Sequence, residues 1–214
     1  MIIVMESAHA KGLLTEHAKY SKTCKVIISQ EAYFRIIYHG YQYANPLIER
    51  EAWVEVVGWL SGAYKKDKND IEVLEITKSW PISHGDAISV SIDNYGKVLT
   101  EILGELDKQK GNQAILGWYH THPGYGLFMS QVDFDTQKSY QKLFDKAIGI
   151  VLDQTLLSSI HKGIEIYRLM PDLITFEKLR FTLWESFDQR LIPRILNVFQ
   201  TNIERGKKLN EFDH

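Results

Sequence analysis

The alternation of apolar and polar positions lays out the elements of this chain. Val26-Ile27-Ile28 reads as a short strand, and Ser29 follows as a helix N-cap with Glu31 in the first turn. Tyr33, Ile36, Ile37, Gly40, Tyr41 and Ala44 then recur at helical spacing and form one buried stripe, closed by Pro46. Trp53 to Gly62 is dense in β-branched and aromatic residues. Ile71 to Thr77 alternates as a half-buried strand does, and Lys65 to Asp70 is the charged turn between the two. Trp80 to Asp86 reads as loop and Ala87 to Ile92 as a strand. Asp93 caps a second helix whose Tyr95, Val98, Leu99, Ile102, Leu103 and Leu106 share one face, with Gly111 as its stop. Ala114 to Tyr119 is a buried strand, Gly124 to Gly126 a turn and Val132 to Phe144 a third helix. Ala147 to Leu152 and Gly163 to Leu169 are two more strands. Beyond Pro171 the pattern turns helical in two pieces, from about Leu173 to Asn210, with Pro193 at the joint.

This order predicts an α+β fold, α/β/α layers around one sheet. Residues 1–22, polar and without sustained periodicity, read as an N-terminal leader, 23–170 as the main domain and 171–214 as a C-terminal helical extension. The extension carries more apolar side chains (among them Leu179, Phe181, Trp184, Phe187, Ile195 and Phe199) than one helix pair can hide. It is expected to fold back on the sheet or to meet another subunit, a second copy or a related partner.

Composition narrows the function classes. Of 214 residues 44% are hydrophobic and 24% charged, the balance of an ordinary globular chain. Lysine plus arginine number 25 against 27 acidic residues, a net charge of −2, so no basic field points to nucleic acid or an anionic membrane. The N-terminal apolar run is too short for a signal segment, and the cytoplasm is the expected location. The longest stretch free of Asp, Glu, Lys and Arg, Gly111 to Val132, holds Pro123, four glycines and two histidines and cannot span a bilayer as an apolar helix. Cys24 is the only cysteine, which excludes a disulfide framework, a Cys-rich zinc module and an iron–sulfur cluster within the chain. Its Lys-Thr-Cys-Lys setting offers nothing to activate a thiolate. A zinc nucleobase deaminase would need a cysteine pair. Any metal must therefore be held by histidines, of which there are eight, and carboxylates.

The uncharged stretch contains Gly117-Trp118-Tyr119-His120-Thr121-His122-Pro123-Gly124. Side chains two apart on a strand point to the same face, so His120 and His122 project together. After ten intervening residues Asp133 arrives at the start of a helix. Two imidazoles and a carboxylate form a three-ligand set typical of catalytic zinc, in which water fills the fourth position. Ser130-x-x-Asp133 is also a legitimate helix capping box, a reading that explains both residues with no metal. Of the nearby Glu49, Glu51 and Glu55, only Glu55 lies inside an apolar strand, where a carboxylate is costly without a role.

The segment GWYHTHPGYGLFMSQVDFDTQ resembles the signature of the JAMM/MPN+ zinc metalloproteases: an upstream Glu, then H-x-H, then S-x-x-D. Within that family the chain is most similar to the deubiquitinating subunit of the proteasome lid and the deneddylating subunit of the COP9 signalosome. The likeness runs from about Val26 to Leu169. It implies an MPN/JAMM fold, a curved mixed sheet flanked by helices, for the catalytic domain at 23–170. It also implies that His120, His122 and Asp133 bind Zn2+, that Glu55 is the general base and that Ser130 helps to hold the oxyanion. The implied reaction is hydrolysis after the C-terminal Gly-Gly of ubiquitin or a ubiquitin-like protein, with Ser89, Val90 and Ser91 flanking the substrate tail. The alternative is a non-catalytic or partner-activated MPN scaffold subunit. Two departures stand out: Leu127-Phe128-Met129 replaces Cys-Trp-Leu before the Ser, and Tyr43 to Ala52 looks like a short addition.

Overall fold

In the computed structural model, residues 13–85, 96–108, 113–184 and 186–209 are described. A single helical turn, Leu13–Glu16, leads into strand β1, Lys19–Ile28, and helix α1, Gln30–Tyr43. Ser29 caps α1 as its sequence predicts: its Oγ accepts from the Ala32 N–H at 3.0 Å and donates to the Thr77 carbonyl at 2.9 Å. Strands β2, Glu55–Lys66, and β3, Glu72–Gly85, follow, then helix α2, Gly96–Leu106, strand β4, Ala114–Thr121, and helix α3, Gln131–Leu143. Strands β5, Ile148–Leu152, β6, Ile164–Leu169, and β7, Phe176–Leu183, precede the last helix, α4, Ile192–Glu204.

The strands form one mixed sheet in the order β1-β3-β2-β4-β5-β6-β7, curled until β7 meets β1 and closes a barrel. β1 runs parallel to β3 and β7, and β4 parallel to β5, while the remaining neighbours are antiparallel. Alternation along the strands feeds two cores. Val56, Leu60, Tyr119, Ile150 and Ile166 pack with Ile36 and Ile37 of α1 on one face. Val57, Trp59, Trp118, Val151 and Tyr167 pack with Val98 and Ile102 of α2 and Tyr140 of α3 on the other. Helices on both faces give the expected α/β/α layering.

Three stretches differ from the sequence reading. Lys19 to Lys22, expected in the leader, extend β1, pairing Lys19 with Glu177 and Tyr20 with Lys178. Their polar side chains hid this because that end of the strand is largely exposed. Trp80 to Gly85, expected as loop on account of Pro81, continue β3. The ladder register shifts between Val57 and Gly58, opposite Ser83 and Pro81, and a bulge is where a strand tolerates proline. Phe176–Leu183, expected as the first tail helix, is β7, because β1 and β6 would otherwise leave facing edges unpaired. The expected strand over Ala87 to Ile92, the Asp93 cap and the Gly111 stop lie outside the described residues, as do Ser89, Val90 and Ser91.

Helix α4 begins with Pro193 in its first turn, the position proline prefers. It folds back onto α1: Phe199 lies edge-on to Phe34 with ring centroids 6.4 Å apart and beside Tyr38 at 4.8 Å. Phe187, Leu196 and Phe199 are partly buried against the core in this way, while Ile192 is the one buried residue of the helix and Trp184, Leu191 and Val198 stay exposed. Among the described residues no helix is long and apolar enough to cross a membrane.

Candidate metal centre

The end of β4 is fixed before any ligand is considered. His120 pairs with Val57 of β2 and Val151 of β5, and the His122 N–H donates to the Leu152 carbonyl at 2.8 Å. Thr121 points to the opposite face, where its Oγ1 accepts from the Val56 N–H at 2.9 Å and so secures the first turn of strand beside Glu55. After Pro123 the chain reverses with Gly124 at φ +77°, a left-handed backbone that favours glycine. The carboxylate of Asp153, only 1% exposed, clamps this turn, with one oxygen accepting from the Gly124 N–H at 3.0 Å and the other from the Gly126 N–H at 2.9 Å. A strand following an apolar run and ending in Asp reads locally as a cap, and Asp153 does also accept from the Thr155 N–H at 2.9 Å. Its long-range partners, 29 residues away in sequence, leave no local signal.

Helix α3 opens with the capping box that Ser130-x-x-Asp133 predicts. The Ser130 Oγ accepts from the Asp133 N–H at 3.2 Å, and the Asp133 Oδ2 accepts from the Ser130 N–H at 2.6 Å. That helix entry aims the Asp133 carboxylate at the histidines, its Oδ1 lying 3.3 Å from His120 Nε2 and its Oδ2 3.5 Å from His122 Nε2. Capping and metal ligation, alternatives at the level of sequence, are thus compatible uses of one side chain. All three residues are buried, and their ligand atoms lie within 4.8 Å of one another.

The donor set suits a divalent cation. The two Nε2 atoms face each other at 3.2 Å, and both Nδ1 atoms are buried with no hydrogen-bond partner. One proton between those Nε2 atoms would hydrogen-bond the two rings to each other, whereas a cation engages both Nε2 lone pairs and the Asp133 carboxylate at once. Ligand atoms held at 2.0–2.1 Å in a tetrahedral zinc site stand about 3.3 Å apart. The observed separations of 3.2, 3.3 and 3.5 Å match that spacing. Burial alone would push the Asp133 carboxyl up, but the two imidazoles, His120 foremost, hold it well below the usual carboxylate range.

Glu55 stands at the head of β2, opposite Gly85, with its Oε1 3.9 Å from His122 Nε2 and its side chain 30% exposed. It therefore reaches both the cluster and solvent. Phe128, in the segment that departs from the family pattern, lies against the His122 ring at 4.8 Å. Two other histidines and the cysteine lie elsewhere. His39 is fully buried, its Nδ1 sharing a hydrogen bond of 2.8 Å with the Tyr119 hydroxyl. The exposed His84 ring stacks on Tyr43 at 4.0 Å. Cys24 is buried, and burial pushes its thiol up to about 11, which rules out a thiolate nucleophile at neutral pH.

Comparison with known proteins identifies the family. The family described as JAB1/Mov34/MPN/PAD-1 ubiquitin protease matches residues 21–146, more than half of the chain. The chain is similar to the ubiquitin carboxyl-terminal hydrolase RPN11 of Saccharomyces cerevisiae, 31% identical over 148 residues covering 68% of this chain and 44% of that protein. It is also similar to the 26S proteasome regulatory subunit rpn11 of Schizosaccharomyces pombe, 30% identical over 160 residues covering 74% and 48%. The 26S proteasome non-ATPase regulatory subunit 14 of Caenorhabditis elegans is 31% identical over 131 residues covering 60% and 37%. The matched region spans less than half the length of these relatives. With the family matched across β1 to α3, the elements that carry Glu55, His120, His122, Ser130 and Asp133, this chain belongs to the JAB1/Mov34/MPN/PAD-1 family of JAMM/MPN+ proteins.

Proposed function

We propose that this protein is a zinc-dependent isopeptidase that hydrolyses the bond after the C-terminal Gly-Gly of ubiquitin or a ubiquitin-like protein. One observation carries the reading: a buried two-histidine, one-aspartate cluster with zinc-like ligand spacing and a half-exposed glutamate at its mouth. The names of the RPN11 relatives, a ubiquitin carboxyl-terminal hydrolase and proteasome subunits, supply the substrate class.

His120, His122 and Asp133 would hold the ion. Zinc bound there would bring the pKa of its water down to about 7 and so supply a nucleophile at neutral pH. Glu55, close to the cluster yet open to solvent, takes the proton of the attacking water on its carboxylate and delivers it to the departing amine. The Ser130 Oγ already accepts from the Asp133 N–H, so its own proton remains to be donated, and Ser130 offers it to the carbonyl oxygen as charge develops there. The Asp133 carboxylate, held ionised by its neighbours, contributes the negative charge that a dication requires.

The test is zinc content and cleavage of a ubiquitin-like protein with a C-terminal extension, compared in wild type, Glu55→Gln and His120→Ala. Glu55→Gln retains zinc and loses turnover, while His120→Ala loses both. Full cleavage by Glu55→Gln overturns the mechanism, and zinc-loaded wild type that cleaves no such substrate favours the alternative, a non-catalytic or partner-activated scaffold subunit.

A further inference from the structure

Helix α3 carries an unusual buried face. Asp133, Gln137 and Gln141, spaced four apart and so aligned along one side of the helix, are all buried. The Gln137 Oε1 accepts from the indole N–H of Trp118 at 2.8 Å. Its Nε2 donates to the Ala147 carbonyl and to the Gln141 Oε1, each at 2.8 Å. Gln141 in turn donates to the Leu169 carbonyl at 2.9 Å and accepts from the Leu169 N–H at 2.7 Å. The backbone partners at both ends fix which way each amide faces, so the relay presents an oxygen to the indole and cannot turn over.

Trp118 connects this relay to the cluster. Its ring stacks on the His120 imidazole with centroids 4.6 Å apart and planes within 14°, and on Tyr140 at 5.9 Å and 16°. Gly149 of β5 makes the room: a Cβ there would stand 3.2 Å from the Trp118 Nε1, 2.9 Å from the Gln137 Oε1 and 2.5 Å from the Met129 Cε. At metal sites the free nitrogen of a ligating histidine ordinarily donates to a carboxylate or carbonyl, which sets the ring's plane. Here the His120 Nδ1 has no such partner. An apolar side chain at 137 would leave the buried Trp118 N–H and Ala147 carbonyl unpaired and the indole free to turn, whereas the amide satisfies both and fixes the ring.

We propose that Gln137 and Trp118 are positioning residues of the metal centre: Gln137 fixes the indole through its N–H, and the indole face fixes the plane of the His120 ring. The inference builds on the zinc reading of the site and adds how this chain orients one ligand without a hydrogen bond to it.

The experiment is zinc affinity of the full chain by competition with a chromophoric chelator, together with the visible absorption of the cobalt-substituted protein. Gln137→Met, which keeps length but offers no oxygen acceptor, weakens zinc binding about 10-fold, and Trp118→Leu up to about 100-fold, the range typical of lost outer-shell partners. Both shift the cobalt bands, which a purely structural loss of stability would leave in place. Trp118→Phe keeps an aromatic face without the N–H, so adding Gln137→Met to it costs less than about 2-fold further, because the glutamine acts through the indole. This background also serves if Trp118→Leu fails to fold. Variants with wild-type affinity and unchanged cobalt bands overturn the proposal, as does a full 10-fold loss from Gln137→Met in the Trp118→Phe background. A wild-type chain that binds no zinc overturns the reading of the site itself, and this inference with it.

Discussion

Asp153 provides the sharpest check on how the fold holds the site. Replacing it with alanine removes four hydrogen bonds: those from the Gly124, Gly126 and Thr155 N–H groups at 3.0, 2.9 and 2.9 Å, and that from the Thr155 hydroxyl at 2.6 Å. Bonds to a charged acceptor contribute about 1.5–3 kcal/mol each, but the sum is not additive. Thr155 is exposed, and water replaces Asp153 there at little cost. The two glycine N–H groups are only partly reachable, and the turn they anchor begins two residues after His122. Those two alone, allowing for their non-additivity, give a loss of about 3–5 kcal/mol. For a chain of this size each kcal/mol moves Tm by about 2–4 °C, so thermal unfolding of Asp153→Ala in chelator falls by about 6–20 °C. Asp153→Asn keeps one oxygen acceptor but turns an amide donor toward the other N–H, and its loss is intermediate. Zinc affinity falls in parallel, since the backbone that places His122 is freed on one side. Asp153→Ala unfolding within about 2 °C of wild type, with unchanged zinc affinity, would refute the reasoning.

Three further outcomes follow from specific contacts. Thr121→Val leaves the buried Val56 N–H without its acceptor, costs about 1–3 kcal/mol in urea unfolding and lowers turnover more than zinc affinity, because Glu55 moves and the ligands do not; Thr121→Ser restores both. Burial would raise the Glu72 carboxyl, but Arg168 at 2.7 Å and Lys146 at 3.0 Å hold it below its ordinary value, so its stabilisation is present above the unfolded pKa and is lost as pH falls through the folded one. Glu72→Gln is accordingly less stable at pH 7 and has a shallower fall in stability below about pH 4.3; parallel acid-unfolding curves would count against that role. Ser29→Ala removes the cap of α1 and costs about 1 kcal/mol, read as a shift in the urea midpoint with an unchanged slope.

Legibility of the fold followed the locality of its causes. The cap at Ser29, the stripe on α1 and the alternation through β2, β4 and β5 are decided within a few residues, and each lies where periodicity places it. β7 was illegible because Phe176, Leu179 and Phe181 suit a helix or a strand equally, and the choice is made by the open edges of β1 and β6 far away in sequence. Pro81 argued for a loop because a bulge depends on the partner strand. At the site, His120, His122 and Asp133 were legible through their spacing, whereas Asp153, Thr121 and Gln137 act across distances that no local pattern encodes.

Asp133 shows why the ligand spacing could be read from the sequence at all. The carboxylate must lie opposite a histidine pair on a strand end, and a freely rotating side chain would reach that place only part of the time. The capping box removes the freedom: the same carboxylate that faces His120 with Oδ1 accepts the Ser130 N–H with Oδ2, and the Ser130 hydroxyl accepts in return. Helix initiation and ligand geometry are therefore satisfied by one rotamer, and the S-x-x-D spacing is constrained twice. The same economy recurs one turn later, where Gln137 continues the face of α3 that starts at Asp133 and reaches the indole stacked on His120. In the proposed zinc site one helix would supply one ligand directly and orient a second through a neighbour, so a small rotation of α3 would disturb both together. A centre built this way would gain precision from rigid elements rather than from loops, which fits a cluster whose three candidate ligands are buried while the glutamate beside them remains open to solvent.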